Sequence, residues 1–326
     1  MPDWKALLDN EFDLFEPINL AQNLVRIPSV SGEGGEVELA RFIANYFIDR
    51  QIKVEWQEVE EGRANLIAEI EGILGEGPNL LFNGHLDTVP LGSGWTYPPL
   101  GGEIIENRLY GRGACDMKGA LASMMYAAYI VSLFAPSLYG KLKLVFVVDE
   151  EGSNLGVKHW IKSYREREEV IDFALVGEPT GLNISLGHRG VAAYQVKVRG
   201  KSCHMGIAER GVNAIYLASQ VIQSIEKKNQ ELKKFADPDL GNPTLHVGRI
   251  QGGTFPNVVP DTCGFEVDVR TVPDFPLGRM EETLQDILDS VQQEKELKFN
   301  YQIDQSIPYL PPVKISRDLE GVKILS

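Results

Sequence analysis

The chain has 326 residues, enough to bury one large core or two smaller ones. Its formal net charge is −14 and no block of lysine and arginine stands out, which argues against nucleic acid or an anionic membrane as the main partner. The three cysteines are an odd number without a CxxC pair, and the acidic N-terminus lacks the cationic and apolar regions of a secretory signal. We therefore expect a cytoplasmic protein.

The first half of the sequence alternates helical and strand patterns. Helices are predicted at 15–28 and 36–50, separated by the turn-forming stretch SVSGEGGE. Short apolar runs then predict strands at 52–58, 64–71, 79–83, 142–148 and 172–177. This alternation predicts an α/β domain whose sheet is largely buried.

An uncharged run at 119–140, GALASMMYAAYIVSLFAPSLYG, is long enough to span a bilayer. Because it is rich in alanine, serine and tyrosine and is interrupted by Pro136, we interpret it as a helix packed against the sheet. A membrane span is the alternative.

The pattern changes near residue 187. Strands are predicted at 191–199, 244–250, 262–270 and 297–303, with helices at 211–228 and 279–293. This order, βαββαβ, is typical of a four-stranded antiparallel sheet with two helices on one face. The sequence therefore predicts two domains.

Acidic residues and one histidine follow the apolar strands of the first domain. They are His85 and Asp87 in NLLFNGHLD, Asp116 in RLYGRGACDMKG, Asp149, Glu150 and Glu151 in LKLVFVVDEEGS, and Glu178 in DFALVGEPTG. Because the ligand crevice of an open α/β sheet lies beyond the carboxyl ends of its strands, we expect these side chains to converge. Clustered carboxylates repel one another unless a cation lies among them, and one imidazole with several carboxylates suits zinc. The alternatives are acids that cap helices or face solvent, and a histidine satisfied within the core.

Five strings in this order, NGHLDTVP, GRGACDMKG, VVDEEGS, VGEPTG and GKSCHMG, resemble the zinc aminoacylase and carboxypeptidase family over essentially the whole chain. That family includes acetylornithine deacetylase, succinyl-diaminopimelate desuccinylase and bacterial glutamate carboxypeptidase. The resemblance implies an α/β, zinc-exopeptidase-like catalytic domain with a mixed, largely parallel sheet. It also implies an inserted α+β, ferredoxin-like domain that serves as lid and dimerisation surface. The corresponding boundaries are 1–186 with 307–326 for the catalytic domain and 187–306 for the inserted domain.

The resemblance implies two zinc ions in each full-length subunit, with cobalt or manganese as alternative metals. The implied ligands are His85, Asp116, Glu178 and Glu151, with Asp116 shared between the two ions. Asp87 is implied to orient His85, and Glu150 to act as the general base. The peptide bond between Asp116 and Met117 is expected to be cis. The implied reaction is hydrolysis of an amide bond in an N-acyl amino acid or in a short peptide with a free carboxylate.

The motif GKSCHMG places His204 in a loop of the second domain. By resemblance, His204 reaches the active site of a partner subunit and stabilises an oxyanion there, which implies a homodimer. Asn257 and Arg270 are implied to bind the carboxylate of the substrate, to which a guanidinium can donate two parallel hydrogen bonds. The alternatives are a surface histidine without a role and an ion pair inside the domain.

The sequence departs from the family at its C-terminal end. In the family the catalytic domain resumes after the inserted domain, and a histidine there completes the second metal site. Here no histidine follows His246, and the sequence ends in VKISRDLEGVKILS. A fragment and a natural truncation are both open, so the competing function is a non-catalytic relative that keeps the fold and dimer surface but lacks the last ligand. A sugar- or nucleotide-binding protein is disfavoured, because GRGACDMKG fits no phosphate-binding glycine pattern.

Overall fold

The computed structural model describes residues 12–13, 15–167, 169–294 and 299–326. The chain divides into two compact units, Met1–Leu182 and Asn183–Ser326. Each unit contains a large hydrophobic cluster of its own.

The first unit is built on a five-stranded mixed sheet and a small hairpin. Its strands are β1 (Lys53–Glu60), β2 (Arg63–Glu71), β3 (Asn79–His85), β4 (Glu103–Ile105), β5 (Arg108–Tyr110), β6 (Lys141–Val147) and β7 (Phe173–Val176). The sheet has the order β1-β2-β6-β3-β7, and β4 pairs with β5. Strands β6, β3 and β7 are parallel, whereas β1, β2 and β6 pair antiparallel. The carboxyl ends of three parallel strands therefore lie side by side.

Helices cover both faces of this sheet. They are α1 (Phe15–Arg26), α2 (Glu36–Ile48), α3 (Gly119–Phe134) and α4 (Leu155–Glu166). Alternate side chains of β6 explain the arrangement: Leu144 and Phe146 join the cluster with α1, α2 and α3, and Val145 and Val147 join the cluster with Trp160 of α4. A strand that is apolar at nearly every position is typical of a sheet buried on both faces.

Helix α3 is the uncharged segment of the sequence. By length and composition alone, the helical stretch Ala114–Ser137 is long and apolar enough to cross a membrane. In the structure, however, Leu121, Met125 and Ala128 of α3 are fully buried in the first unit's core. This burial confirms the prediction of a helix packed against the sheet.

The second unit contains the predicted βαββαβ order. Its elements are β8 (Gly187–His188), β9 (Gly190–Arg199), α5 (Ala214–Leu232), β10 (Thr244–Gly252), β11 (Thr262–Thr271), α6 (Leu277–Glu294), β12 (Asn300–Leu310), β13 (Val313–Lys314) and α7 (Glu320–Leu325). Strands β10, β11, β9 and β12 form one antiparallel sheet in that order. In β9, Val196 and Val198 are buried in a core shared with α5 and α6, whereas Gln195 and Lys197 are exposed. One face of the sheet is therefore covered by helices, as in ferredoxin-like folds.

Residues 307–326 contact the second unit in this structure. Strand β13 pairs with β8, and the Ile315 N–H donates to the Leu186 carbonyl at 2.8 Å. The Lys314 ammonium also lies 2.8 Å from an Asp237 carboxylate oxygen. The assignment of 307–326 to the catalytic domain stays a prediction, and these contacts do not support it. The predicted boundary at 186/187 lies close to the division of the units after Leu182.

Candidate metal centre

A buried methionine lies where three chain segments of the first unit meet. Met117 is fully buried and packs against Gly84 in β3 and Gly177 just after β7. A Cβ atom on Gly84 or Gly177 would lie 2.6 or 2.7 Å from the Met117 Cε atom, closer than real side chains approach. The two glycines therefore leave room for the Met117 side chain beside the ends of β3 and β7. The Asp116–Met117 peptide bond is cis, which confirms that expectation.

His85 is buried at the end of β3, with only 2% of its surface exposed. Its Nδ1 atom lies 2.9 Å from the backbone carbonyl oxygen of Asp87. Because a carbonyl oxygen only accepts hydrogen bonds, Nδ1 carries a proton, and the neutral ring would keep its lone pair on Nε2. Nε2 lies 3.0 Å from Asp116 Oδ1 and 3.9 Å from Glu178 Oε1. The ring is therefore held with its ligand nitrogen directed at two carboxylates.

The Asp87 carboxylate holds the neighbouring turn. Its Oδ1 accepts the backbone N–H of Glu150 and its Oδ2 accepts that of Glu151, each at 3.0 Å. The closest carboxylate oxygen lies 3.7 Å from His85 Nδ1, too far for a hydrogen bond. The sequence analysis expected Asp87 to orient His85. In the structure Asp87 does so through its backbone carbonyl, and its side chain instead fixes the two glutamates.

The ionisable groups around His85 perturb one another. Burial raises the pKa of Glu150, Glu151 and Glu178, and neighbouring carboxylates raise it further, while the imidazole lowers it. Burial opposes the charged form of His85, but the nearby carboxylates, Asp87 first, outweigh it and raise the His85 pKa. Beside burial, these shifts reflect several carboxylates with little positive charge among them, which a divalent cation would correct.

Two sets of three residues each bring their potential ligand atoms within 4.8 Å of one another. One group contains His85, Asp116 and Glu178, and the other contains His85, Glu150 and Glu151. Among the described residues, Asp116 and Glu178 form ion pairs with His85 and not with a lysine or arginine. Imidazole and carboxylate ligands are a donor set that zinc accepts. The residues therefore fit the divalent metal that the sequence analysis expected.

The structure places His204 and Asn257 on neighbouring loops of the second unit. His204 forms a β-bridge with Val258, and the Met205 N–H donates to the Asn257 carbonyl at 2.9 Å. The His204 ring is exposed, and its Nδ1 atom accepts the Gly206 N–H at 3.1 Å. In the neutral ring Nε2 therefore carries the proton and can donate it to a ligand.

Arg270 lies at the other end of β11 from these loops. It lies eight positions after Thr262, the first residue of the strand, a distance of about 27 Å in an extended chain. Its Nε and Nη2 atoms donate to the two carboxylate oxygens of Asp268 at 2.8 and 2.9 Å. The ion pair that the sequence analysis considered as an alternative is thus present, and it is partly exposed.

Three largely buried charged residues, Arg63, Glu36 and Lys118, were not expected from the sequence. Arg63 and Glu36 form an ion pair with side chains 10% and 0% exposed. Lys118 donates from Nζ to the Ile27 carbonyl at 2.6 Å, and burial lowers its pKa to about 8. The sequence held no periodic signal for Arg63 or Glu36, because each has its partner far along the chain. Only the position of Lys118 in DMKG, next to Asp116, could have drawn attention to it.

The comparisons with known proteins agree with this geometry. Residues 186–296 match the family model described as a peptidase dimerisation domain. Acetylornithine deacetylase of Aliivibrio fischeri (strain MJ11) is 32% identical over 280 residues, which are 83% of this chain and 72% of that protein. Acetylornithine deacetylase of Vibrio parahaemolyticus is 32% identical over 306 residues, or 91% of this chain and 77% of that protein.

Solved structures show the same fold. Aminopeptidase PepT from Bacillus cereus superimposes with a TM-score of 0.76 at 22% identity, covering 96% of this chain and 80% of that one. A Bacillus subtilis protein described as a dinuclear metal binding peptidase from the M20 family gives a TM-score of 0.67 at 19% identity, with 96% and 77% covered. The chain therefore belongs to the M20 family of hydrolytic enzymes, which includes peptidases and deacetylases.

Proposed function

We propose that this protein hydrolyses the amide bond of an N-acyl amino acid or a short peptide with a free carboxylate in the cytoplasm, with two zinc ions in the full-length subunit. The proposal depends on one observation, the convergence of five side chains from the ends of three adjacent strands and from the turn before α3. They are His85, Asp116, Glu150, Glu151 and Glu178. No structural requirement of the sheet explains the gathering of four carboxylates around one buried imidazole, whereas a metal site does.

The proposed ligands divide between the two ions as the family resemblance implies. His85, Asp116 and Glu178 would hold one ion, and Asp116 and Glu151 would contribute to the other. When bound, the ions would supply Lewis-acid activation of water and of the substrate carbonyl. His85 is prepared for this role because Nδ1 is already committed to the Asp87 carbonyl.

Glu150 is the proposed general base. Burial and the neighbouring carboxylates raise its pKa, so its affinity for a proton is closer to what a base working near neutral pH needs. Its carboxylate would take a proton from the attacking water and give it to the leaving nitrogen. The hydrogen bond from the Glu150 N–H to Asp87 keeps the backbone fixed while the carboxylate gains and loses that proton.

The second unit is proposed to complete the site through a homodimer. His204 would donate from Nε2 to the oxyanion in the partner's site. Because Asn257 shares the loop pair with His204, we propose that it enters the partner's site as well. Arg270 lies about 27 Å along β11 from Thr262, at the end of the strand away from the loop that carries Asn257, so we propose that the two residues reach a substrate from different subunits. In this arrangement a substrate's carboxylate would meet Arg270 of one subunit and Asn257 of the other.

A substrate panel tests the proposed function. The panel contains N-acetylornithine, other N-acetyl and N-succinyl amino acids, dipeptides and tripeptides, each incubated with the purified chain and zinc, cobalt or manganese. We expect mass spectrometry to show cleavage of at least one amide, lost on treatment with a chelator and restored by metal. A chain that binds metal but cleaves no member of the panel would favour the non-catalytic alternative.

A further inference from the structure

The turn that carries Glu150 and Glu151 is held at three consecutive backbone amides. The Asp149 N–H donates to Glu36 Oε1, and the next two N–H groups donate to the two oxygens of Asp87, each at 3.0 Å. Three successive amides bound by two buried carboxylates fix the direction in which the following side chains leave the backbone. Asp87 is part of the site already described, whereas Glu36 comes from the start of α2.

Glu36 is held in turn by Arg63, at the start of β2. The Arg63 Nε and Nη2 atoms donate to the two Glu36 oxygens at 2.5 and 2.7 Å, a two-pronged contact that fixes the carboxylate plane. Nη2 also donates to Asp149 Oδ1 at 2.9 Å. The three side chains are 0% to 10% exposed. Arg63 therefore ties both carboxylates together behind the turn.

Asp149 adopts an unusual backbone conformation that this network supports. Its φ of 63° lies in the left-handed region, which non-glycine residues seldom adopt. Its carboxylate accepts from Arg63 and the Ser31 hydroxyl on one oxygen and from the Ser153 N–H on the other. This left-handed residue thus stands immediately before the two glutamates of the site.

We propose that Arg63, Glu36 and Asp149 are positioning residues for the metal centre, which aim Glu150 and Glu151 from behind the turn. The inference rests on the proposed function. A buried ion pair is weak support for stability, because apolar side chains of similar size stabilise a core equally well. Directed hydrogen bonds, by contrast, specify an orientation, and these converge on the one turn that delivers both a proposed base and a proposed ligand.

The test compares two variants with a matched control. Arg63→Met removes the cation from between two buried carboxylates, and Glu36→Gln removes one charge while keeping the shape of the side chain. The control is Lys143→Met in β6, which also removes a buried cation from between two carboxylates, Glu69 and Glu169, in the same sheet. If Arg63→Met does not fold, Glu36→Gln alone carries the comparison.

Amide exchange in the metal-free protein gives the first readout, followed by mass spectrometry of a peptide covering residues 148–155. We expect the wild-type protein and Lys143→Met to protect this peptide, and Glu36→Gln and Arg63→Met to lose the protection. Wild-type protein without protection there, or variants that keep it, would overturn the proposal. This readout needs neither metal nor turnover, so it tests whether the network holds the turn separately from the proposed function.

Zinc affinity, measured by competition with a chelating dye, and steady-state kinetics give the second readout. Loss of an outer contact to a metal site lowers affinity or activity by about 10- to 100-fold, and we expect that loss in kcat and zinc affinity with KM nearly unchanged. Lys143→Met should leave kcat and zinc affinity unchanged, even if its thermal unfolding temperature falls as much as that of Arg63→Met. A fall in unfolding temperature without loss of kcat or zinc affinity would show that the network is only structural.

Discussion

The Nδ1 atom of His85 donates to the backbone carbonyl of Asp87, 2.9 Å away and two residues further along the chain. The contact is made by the main chain, so it does not depend on the Asp87 side chain. The Asp87 carboxylate serves the Glu150 and Glu151 amides instead. Thus the backbone carbonyl of Asp87 orients the histidine, and the carboxylate of Asp87 orients the two glutamates.

Asp87→Asn separates these two roles. The variant keeps the carbonyl that accepts from His85 Nδ1, but an amide offers one oxygen where the carboxylate offered two, so one of the two glutamate amides loses its partner. We expect nitrogen NMR of the His85 ring to show the Nδ1 proton in both proteins, while kcat falls by about tenfold or more. A change of tautomer in Asp87→Asn would show that the carboxylate, not the carbonyl, orients the ring.

Glu150→Gln tests the assignment of the general base. The amide cannot accept the proton of water, so we expect kcat to fall by about 10²- to 10⁴-fold with the zinc content unchanged. Glu103→Gln, in the exposed hairpin strand β4, is the control and should leave kcat unaltered. Loss of zinc from Glu150→Gln would mean that the roles of Glu150 and Glu151 are exchanged.

The pH dependence of the metal-free protein follows from the raised pKa values of Glu150, Glu151 and Glu178. A folded state that holds its protons more tightly than the unfolded state loses stability as the pH rises through those raised values. The raised His85 pKa acts in the same direction, since its contribution is present at low pH and lost as the imidazolium deprotonates.

Thermal unfolding of chelator-treated protein from about pH 5 to about pH 8 measures this dependence. We expect the unfolding temperature to fall as the pH rises, and added zinc to stabilise most at the high end, because bound protons compete with the metal. Glu178→Gln should flatten the metal-free curve by removing one of the repelling charges. A metal-free curve that rises over this range would contradict the shortage of positive charge inferred for the site.

The sequence predicted the strands that carry the site because their apolar runs and polar ends are local signals. The runs ending in NGHLD, VVDEEG and VGEPTG became β3, β6 and β7, and their parallel pairing brings the polar ends together. Contacts between distant positions had no such signal. The approach of Arg63 to Glu36 and Asp149 depends on how α2 packs beside β2, which the pattern of apolar residues does not specify. Nor does that pattern specify that His85 contacts the backbone carbonyl of Asp87 rather than its carboxylate.

The proposed exchange of His204 between subunits predicts complementation. Glu150→Gln and His204→Ala should each be inactive alone. In a mixed dimer, one site combines an intact Glu150 with the intact His204 of the other subunit, so random mixing should restore about a quarter of wild-type activity. His188→Ala, another exposed histidine of the second unit, is the control and should be active by itself. Recovery of no activity from mixed dimers verified by mass spectrometry would place His204 outside the partner's site.

The ion pair between Arg270 and Asp268 predicts opposite effects of two substitutions on substrate affinity. If Arg270 binds the carboxylate of the substrate, Asp268 competes for the same guanidinium, because its two oxygens already accept hydrogen bonds from Arg270 Nε and Nη2. Arg270→Ala should raise KM by about 10-fold or more with a smaller change in kcat, as expected for loss of a charge-assisted hydrogen bond. Asp268→Asn should lower KM, since the weaker amide acceptor leaves the guanidinium more available.

Arg199→Ala, which changes an exposed arginine on the neighbouring strand β9, is the control for a general effect of positive charge. A KM that rises equally in Arg270→Ala and Asp268→Asn would show that the pair maintains the strand and that the carboxylate is bound elsewhere.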